Sequence, residues 1–239
     1  MNKEQFIQAL NKIGLNLTQE QLEYLETYCS FLLEYNSHTN LTAIKEEDQV
    51  YLKHFYDSLT FVKAIDLKEC NNLIDIGTGA GFPGMVLKII YPNLHVTLLD
   101  SNNKKINFLQ ELSNKLSLDK ISFFHGRAED FCVKNRESFD VVTARAVSNM
   151  TTLTELCMPL VKLKGYFIPM KGSNEQEVLD SMDAIEILGG KIEDNIKFNL
   201  PIEESGRQII KIKKIKNTPK EYPRRYEKIV KSPLKKSTK

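Results

Sequence analysis

The sequence predicts an α/β protein built on a mostly parallel sheet of seven strands, with a helical extension at its N-terminus. Two observations support this fold class. Short apolar runs alternate with helical stretches from Asn72 onward, which is the pattern of right-handed βαβ units. The segment from Asp75 to Gly84 joins an apolar run to a helical one through a glycine-rich turn, the usual opening of a nucleotide-binding sheet.

The N-terminal extension is expected to contain three helices. The first is indicated by four apolar residues with the spacing of one helix face: Phe6, Ile7, Leu10 and Ile13. Gly14 should end it, because glycine accepts the left-handed conformation that follows a helix. Thr18 and Gln21 have the spacing of a capping box and should start a second helix, which fades near Asn36. A third helix is expected over about residues 48–65.

The sheet region should supply five parallel strands and a hairpin. The apolar runs that predict parallel strands are residues 73–76, 96–99, 121–124, 141–143 and 166–168. Helices are expected between most of them, near residues 84–90, 103–116, 149–160 and 174–187. Two extended runs, residues 191–199 and 208–215, are separated only by residues 201–206 and suit an antiparallel hairpin at one sheet edge.

Composition limits the class of protein. With 239 residues and 41% hydrophobic residues, the chain suits one main domain with appendages. It has no run of roughly eighteen apolar residues and no signal-peptide core, so a cytoplasmic protein without a membrane span is expected. The four cysteines and four histidines lack the spacing of metal ligands, so no metal site is expected and the thiols should be reduced.

Charge is unevenly distributed along the chain. Residues 211–239 contain 12 Lys and Arg and 2 Asp and Glu, a net +10, so an overall charge of +2 leaves −8 for the rest. A basic tail on a mildly acidic body suggests a polyanionic partner, although a solvated tail that only aids solubility has the same composition. We therefore divide the chain into a helical cap (residues 1–66), a core (residues 67–216) and a basic tail (residues 217–239).

The glycine-rich turn indicates which nucleotide is bound. Gly77, Gly79 and Gly81 follow a G-x-G-x-G pattern and not the G-x-G-x-x-G of dinucleotide sites, which makes a nicotinamide enzyme the weaker alternative. Pro83 removes an amide donor that a phosphate would need, and Asp75 would repel one. A nucleoside with a positive centre and no phosphate fits better, and S-adenosylmethionine is such a ligand. A plain tight turn is the simpler alternative.

Residues at the ends of the predicted strands are candidates for the site, because ligands of such sheets bind there. Asp100 lies 19 residues after Gly81 and suits the ribose hydroxyls, although it is also placed to cap the next helix. Glu129 follows the third strand and could contact the adenine edge, or simply lie in the first turn of a helix. Arg145 ends the fourth strand and suits the methionine carboxylate or a substrate phosphate; otherwise it pairs with Asp75 or Glu129.

Two further observations concern the reaction. His54 and Asp57 can touch on one helix face, but such a pair is more often a packing contact than a catalytic one. The chain lacks both the Asp/Asn-Pro-Pro-aromatic motif used to methylate exocyclic amines and the Pro-Cys nucleophile of pyrimidine C5 methyltransferases. An acceptor with a free lone pair, such as guanine N7, needs neither device, so catalysis would depend on alignment and exclusion of water.

Motifs along nearly the whole chain resemble one family, the bacterial 16S rRNA (guanine-N7) methyltransferases, also called the glucose-inhibited division protein B family. The matching segments are Asn40-Leu41-Thr42, His54-x-x-Asp57-Ser58, Asp75 to Gly84, Asp100-Ser101, Lys104-Lys105, Arg127-Ala128-Glu129, Thr143-Ala144-Arg145-Ala146-Val147, Lys171-Gly172 and Tyr222-Pro223-Arg224. After the last of these, many relatives continue with a Lys/Arg-x-Gly-x-Pro segment that is absent here.

The resemblance implies a Rossmann-like class I methyltransferase that transfers a methyl group from S-adenosylmethionine to N7 of one guanine in 16S ribosomal RNA or the small ribosomal subunit. It implies cofactor contacts at Gly77, Phe82, Ala128, Glu129 and Arg145. Together with Gly79 and Asp100, these residues make up the expected cofactor site. Arg145 is also the expected catalytic residue. The alternative function is a small-molecule methyltransferase with the same cofactor, and a monomer is expected.

The resemblance also indicates where RNA would bind. The candidate cations are Lys104, Lys105, Arg145, Lys171, Arg207 and Arg224, whose contacts with phosphates would make affinity depend on salt. Tyr222 and Tyr226 lie among basic residues and could stack on bases.

Overall fold

The computed structural model describes residues 1–145 and 148–236. Ala146 and Val147, which close one of the family motifs, and residues 237–239 of the basic tail lie outside the described residues. The described chain forms one seven-stranded sheet with helices on both faces, in the strand order β3-β2-β1-β4-β5-β7-β6. This arrangement confirms the predicted Rossmann-like fold class.

The first two predicted helices are present, and the second begins where the sequence predicts. Helix α1 spans Lys3–Lys12, and helix α2 spans Gln19–Thr39. Thr18 and Gln21 form the expected capping box, in which the Thr18 hydroxyl accepts from the Gln21 amide and the Gln21 side chain accepts from the Thr18 amide. Helix α2 continues past its predicted end near Asn36. It ends at Thr39, because Asn40 takes the left-handed conformation.

The third predicted helix is a single helical segment of mixed type. It begins with α3 (Glu47–Gln49), continues as a π-helix (Val50–Tyr56), and ends with α4 (Asp57–Leu59) and a 3₁₀ turn (Thr60–Lys63). We call residues 47–63 the mixed helical segment. A short 3₁₀ turn, Leu67–Glu69, then leads into the sheet.

All seven predicted strands are present, and the five inner predictions fall within longer strands. Four strands are parallel neighbours around the centre: β1 (Asn72–Ile76), β2 (His95–Asp100), β3 (Ile121–His125) and β4 (Phe139–Arg145). Strand β5 (Val161–Gly172) adds in parallel to β4. The hairpin of β6 (Gly190–Asn199) and β7 (Gly206–Lys214) adds antiparallel to β5, as predicted.

Helices connect the strands and cover both faces of the sheet. They are α5 (Gly84–Ile90), α6 (Asn103–Lys115), α7 (Ala128–Asn135), α8 (Met150–Cys157), α9 (Glu175–Asp180) and α10 (Met182–Ile187). The helix predicted over residues 149–160 is α8 followed by a 3₁₀ turn, Met158–Leu160. The helix predicted over residues 174–187 is two helices, which meet at the buried Ser181.

Two hydrophobic cores lie on opposite faces of the sheet. One joins the sheet to α1, α2, the mixed helical segment, α5 and α6, and includes Phe6, Tyr28 and Phe55, which are all fully buried. The other lies under α7, α8 and α10. Because α1, α2 and the mixed helical segment share the first core with the strands, they are packed against this face of the sheet.

The basic tail packs on the second core over its described length. The tail contacts helices α8 and α10. A last helix, α11 (Tyr226–Lys231), buries Ile229 completely. The Arg136 side chain donates to the carbonyl oxygens of Thr218, Pro219 and Tyr222. Residues 217–236 are therefore held to the body of the protein, whereas the sequence alone left a solvated tail as an alternative.

Among the described residues, no helix is both long and apolar enough to cross a membrane. In the same part of the chain, no three His, Cys, Asp or Glu side chains are grouped in a way that could hold a metal ion.

Candidate active site

The glycine-rich turn between β1 and α5 has a shape that only glycine accepts readily. Gly77, Gly79 and Gly81 have φ angles of +66°, +62° and +103°. A Cβ atom on Gly81 would lie 2.6 Å from the Tyr28 hydroxyl oxygen, whereas a Cβ on Gly79 would meet nothing within 4 Å. The Tyr28 hydroxyl donates to the carbonyl oxygen of Ala80, so helix α2 holds the turn from below while the turn stays open at Gly79.

Asp75 supports this turn from inside the protein. Its Oδ2 atom accepts from the Thr78 hydroxyl at 2.7 Å and from the Gly84 amide at 2.8 Å. Burial raises the pKa of this fully buried carboxyl group to about 6, although both hydrogen bonds oppose the change. Asp75 therefore shapes the turn and the start of α5.

Asp100 ends strand β2 beside the same turn. Its Oδ2 atom accepts from the Gly79 amide at 2.9 Å, and its Oδ1 atom accepts from the Asn102 amide at 2.8 Å. The N-cap of helix α6 is Asn102, whose side chain accepts from the Lys104 amide. Asp100 is thus free of the capping role that the sequence allowed, and each carboxylate oxygen keeps a second lone pair for a ligand.

A cavity of about 390 Å³ lies above the turn at the carboxyl ends of the strands. It is lined by Leu41, Thr42, His54, Gly77, Thr78, Gly79, Ala80, Phe82, Asp100, Ser101, Lys105 and Arg145. We call it the turn cavity. Five of the seven predicted cofactor residues line it, and its volume is within the range of small-molecule sites.

The other two predicted cofactor residues, Ala128 and Glu129, lie in the first turn of α7 and do not line the turn cavity. Their loop is nevertheless tied to the end of β2, because the Gly126 amide donates to the Asp100 carbonyl oxygen at 3.0 Å. The acidic side chains of Glu129 and Asp130 also lie where the helix dipole favours them. The expected contact with the cofactor stays a prediction for these two residues.

Arg145 is held by the mixed helical segment. One terminal nitrogen donates to the Lys53 carbonyl oxygen at 2.9 Å and to Asp57 Oδ2 at 3.1 Å, and the other lies 3.1 Å from His54 Nδ1. The guanidinium also lies over the Phe82 ring, 5.2 Å from its centre. The ion-pair partner is Asp57, so the structure corrects the sequence-based alternative, which named Asp75 or Glu129.

His54 is a neutral partner of Arg145. Burial and the arginine charge lower its pKa to about 3, so the ring is uncharged near neutral pH. Because Arg145 can only donate, Nδ1 is the acceptor and Nε2–H donates to the Thr42 hydroxyl oxygen, 2.9 Å away. The ring stacks on Phe82 with centres 4.1 Å apart. His54 and Asp57 thus share Arg145 as a partner.

A second cavity, of about 600 Å³, adjoins the turn cavity and shares His54 and Arg145 with it. Its other lining residues are Lys53, Asp57, Met170, Lys171, Gly172, Ser173, Asn174, Glu177 and Arg207. We call it the acceptor cavity. Arg207 is the second residue of strand β7 and pairs with Gly172, and its Nε–H donates to Asp57 Oδ1 at 3.2 Å.

The remaining RNA-contact candidates have different surroundings. Lys171 contacts Glu177 at 2.8 Å inside the acceptor cavity. Lys104 is exposed on α6, and Lys105 lies 3.8 Å from Asp100. Arg224 is engaged elsewhere, because it donates to both carboxylate oxygens of the buried Glu155.

Sequence reasoning missed two residues of the site. Tyr28 lies on the buried face of α2, and its only signal was a hydroxyl group within an otherwise apolar stripe. Asp57 was noted only as a neighbour of His54, because helical spacing shows which residues share a face but not which distant strands they meet.

Comparison with known proteins places the chain in a family. A family described as rRNA small subunit methyltransferase G matches residues 21–205. A protein of Bacillus licheniformis named ribosomal RNA small subunit methyltransferase G is 50% identical, over 98% of this chain and 99% of its own length. A protein of Bacillus subtilis with the same name is 48% identical over the same shares.

Solved structures agree on the fold. A SAM-dependent methyltransferase from Aquifex aeolicus aligns with a TM-score of 0.53 at 18% identity, covering 71% of this chain and 94% of its own. A precorrin-6y C5,15-methyltransferase from Geobacter metallireducens gives a TM-score of 0.51 at 15% identity, covering 66% of this chain and 88% of its own. These two likenesses concern the fold alone. From the family match and the relatives that are about half identical over almost the whole length, the chain belongs to the rRNA small subunit methyltransferase G family.

Proposed function

We propose that this protein transfers a methyl group from S-adenosylmethionine to N7 of a specific guanine in 16S ribosomal RNA. The single observation that supports this most is the pair of adjoining cavities at the carboxyl ends of the strands, with Arg145 in the wall of both. The family and the names of its relatives, which refer to methylation of small-subunit ribosomal RNA, favour this function over small-molecule methylation.

The turn cavity fits the cofactor in size and chemistry. Asp100 offers carboxylate lone pairs suited to the two ribose hydroxyls, and the missing side chain of Gly79 leaves open space beside it. Arg145 keeps its Nε–H and one further N–H without a partner among residues 1–145 and 148–236, which suits an anionic or carbonyl group. We propose Gly77, Gly79, Phe82, Asp100 and Arg145 as the main cofactor contacts, with Ala128 and Glu129 near the adenine.

The chain has to position the acceptor and to accommodate the positive charge that passes from the cofactor sulfur to the guanine. When bound, S-adenosylmethionine supplies a methyl group on a positively charged sulfur, and attack by the N7 lone pair leaves that charge on the guanine. No proton has to be removed from N7, so no general base is required. Asp57 offsets part of the charge of the two arginines beside it, and the neutral His54 adds no further positive charge where the cationic base forms.

We infer that the substrate is RNA presented in the small ribosomal subunit or a precursor of it, and that the protein acts as a cytoplasmic monomer. The basic residues of the tail support a polyanionic partner. The exposed edge strand β6 carries alternating charges such as Lys191, Glu193 and Lys197, which disfavour edge-to-edge pairing with a second copy.

Mapping methyl groups in ribosomal RNA tests the proposal. RNA from cells with and without this protein should differ at one 7-methylguanosine of 16S RNA, and the purified protein with S-adenosylmethionine should restore it. Identical methylation patterns in the two cell types would refute the proposal. Transfer to small acceptors, with none to ribosomal RNA or subunits, would favour the small-molecule alternative.

A further inference from the structure

We propose that Asp57 is a positioning residue that fixes Arg145 and Arg207 relative to each other, so that the two arginines hold the acceptor nucleotide at a set place beside the cofactor. This inference rests on the proposed function. It names the part of the site that recognises the nucleotide, which is the acceptor cavity, and the residue that organises it.

One carboxylate joins three distant parts of the chain. Asp57 belongs to the mixed helical segment, Arg145 ends strand β4, and Arg207 lies near the start of strand β7. The contacts span 88 and 150 residues of sequence, and each arginine uses a different carboxylate oxygen, at 3.1 and 3.2 Å. Asp57 is only 5% exposed, so little water competes for these bonds.

Both arginines keep donors for a ligand. Within the described residues, Arg207 donates only to Asp57 and to the carbonyl oxygen of Gly206, which leaves three of its five N–H groups without a partner. Arg145 keeps two, so one can serve the cofactor contact proposed above and the other the nucleotide. Because Asp57 holds Nε of Arg207 and a terminal nitrogen of Arg145, the orientation of both guanidinium planes is fixed before the nucleotide enters.

The chemistry of the acceptor limits where these donors can act. Guanine presents O6 and N7 side by side as acceptors. A donor on N7 would occupy the lone pair that must attack the methyl group, so productive contacts go to O6 or to phosphate oxygens. Small displacements of the arginines would therefore either misplace the base or block its nucleophile, and a misplacement of about 1 Å costs roughly 100-fold in rate.

Asp57→Asn tests this inference with the shape of the side chain kept. We expect the single-turnover rate of methyl transfer to unmethylated 16S RNA to fall about 100-fold. The dissociation constant for that RNA should stay within about threefold, because scattered phosphate contacts dominate affinity. Asp57→Glu, which keeps the charge and both oxygens, should recover part of the rate. Asp194→Asn, the same change at an exposed residue of β6, is the matched control and should leave the rate unaltered.

Two measurements separate positioning from a fold defect. The Nε–H resonance of Arg207 in ¹⁵N spectra should be protected from exchange in the wild type and lose protection in Asp57→Asn. Arg207→Lys keeps the charge, and the Arg207 side chain is 24% exposed, so this variant should fold. Combined with Asp57→Asn, it should lower the rate little beyond the single changes, because both remove the same arrangement.

The outcomes can be told apart. Wild-type turnover in Asp57→Asn, despite a released Arg207 signal, would overturn the inference and leave the proposed function intact. Independent, multiplying losses from Asp57→Asn and Arg207→Lys would overturn it as well. A wild-type protein that transfers no methyl group to 16S RNA would instead overturn the proposed function on which the inference rests.

Discussion

At the scale of single residues, Asp100 shows how one side chain serves both the fold and the site. Its two oxygens accept backbone amides from the glycine-rich turn and from the start of α6, so the carboxylate is fixed at the cavity wall. A fixed carboxylate loses little entropy when it accepts further hydrogen bonds from a ligand.

Replacing Asp100 should therefore weaken cofactor binding. We expect Asp100→Ala to reduce the affinity for S-adenosylhomocysteine by about 10- to 100-fold, since hydrogen bonds to a charged group contribute about 1.5–3 kcal/mol. Isothermal titration calorimetry measures the change. Asp194→Ala, at an exposed position of β6, should bind as the wild type does. Equal affinity in both variants would remove Asp100 from the proposed site.

His54 should make the fold sensitive to acid. Burial and the Arg145 charge lower the pKa of this ring to about 3 in the folded protein, below the ordinary value of 6.5 that it has in the unfolded chain. Unfolding therefore takes up a proton as pH falls through this interval, and the contribution of His54 to stability should decrease from about pH 6.5 downward. Urea unfolding of the wild type and His54→Asn between pH 4 and 7 checks this. A stability difference that is constant with pH would contradict it.

Asp75 should change the stability of the fold with pH in the opposite direction to His54. Burial raises its pKa in the folded protein to about 6, above the ordinary value of 3.8, so the folded state keeps the proton to higher pH than the unfolded state does. Its contribution should decrease as pH rises from about 4 to 6. Between pH 4 and 6, the contributions of His54 and Asp75 to stability thus change in opposite directions and partly cancel. Each is therefore measured as the difference in stability between the wild type and a variant of that one residue.

The sequence predicted which single residues face the site better than it predicted their partners. Asp100 and Arg145 were found because strand ends converge at one sheet edge, and that rule needs only the order of strands and helices. The partner of Arg145 was not found, because Asp57 is 88 residues away and nothing local encodes that contact.

At the scale of elements, the mixed helical segment shows what a predicted helix leaves undetermined. The sequence analysis predicted a helix over about residues 48–65, and a helical segment is there. Its π-helical part, Val50–Tyr56, contains Lys53 and His54, whose carbonyl oxygen and ring nitrogen bind Arg145. π-Helical turns are rare and occur often at functional sites, and no residue pattern in this stretch distinguishes one from an α-helix.

Two glycines, Gly84 at the end of the glycine-rich turn and Gly172 at the end of β5, form a matched pair for a test of packing. A Cβ on Gly84, at the start of α5, would lie 2.8 Å from Asp75 Cβ and 2.9 Å from Asp75 Oδ2. We expect Gly84→Ala to lower the free energy of unfolding by about 1–3 kcal/mol through overpacking. Gly172→Ala, where a Cβ meets nothing within 4 Å, should change it by less than about 0.5 kcal/mol. Urea denaturation measures both, and equal effects would refute the close contact.

At the scale of the whole molecule, the tail is part of the fold. The Glu155 side chain is 1% exposed, and Arg224 binds both of its oxygens at 2.6 and 2.8 Å while also donating its backbone amide. The sequence indicated only a basic tail, because charge composition does not reveal that one acidic residue of α8 is buried and requires a cation.

Removing that cation should be costly. We expect Arg224→Ala to destabilise the protein by about 3 kcal/mol, because it leaves a buried carboxylate without its partner. Arg225→Ala, which removes an exposed neighbouring charge, should have a negligible effect on stability. Thermal unfolding of the two variants checks the difference. If both unfold at the wild-type temperature, the ion pair does not hold the tail.

The meeting of three chain segments on Asp57 has a kinetic consequence. Contacts that span 88 and 150 residues close large loops, so they form late, after local helices and hairpins have assembled. During refolding from denaturant, far-ultraviolet circular dichroism should recover before the ability to bind S-adenosylhomocysteine returns. The return of ligand binding would then report when the three segments that meet at Asp57 have docked. Partly assembled molecules would stay inactive toward RNA until that docking is complete.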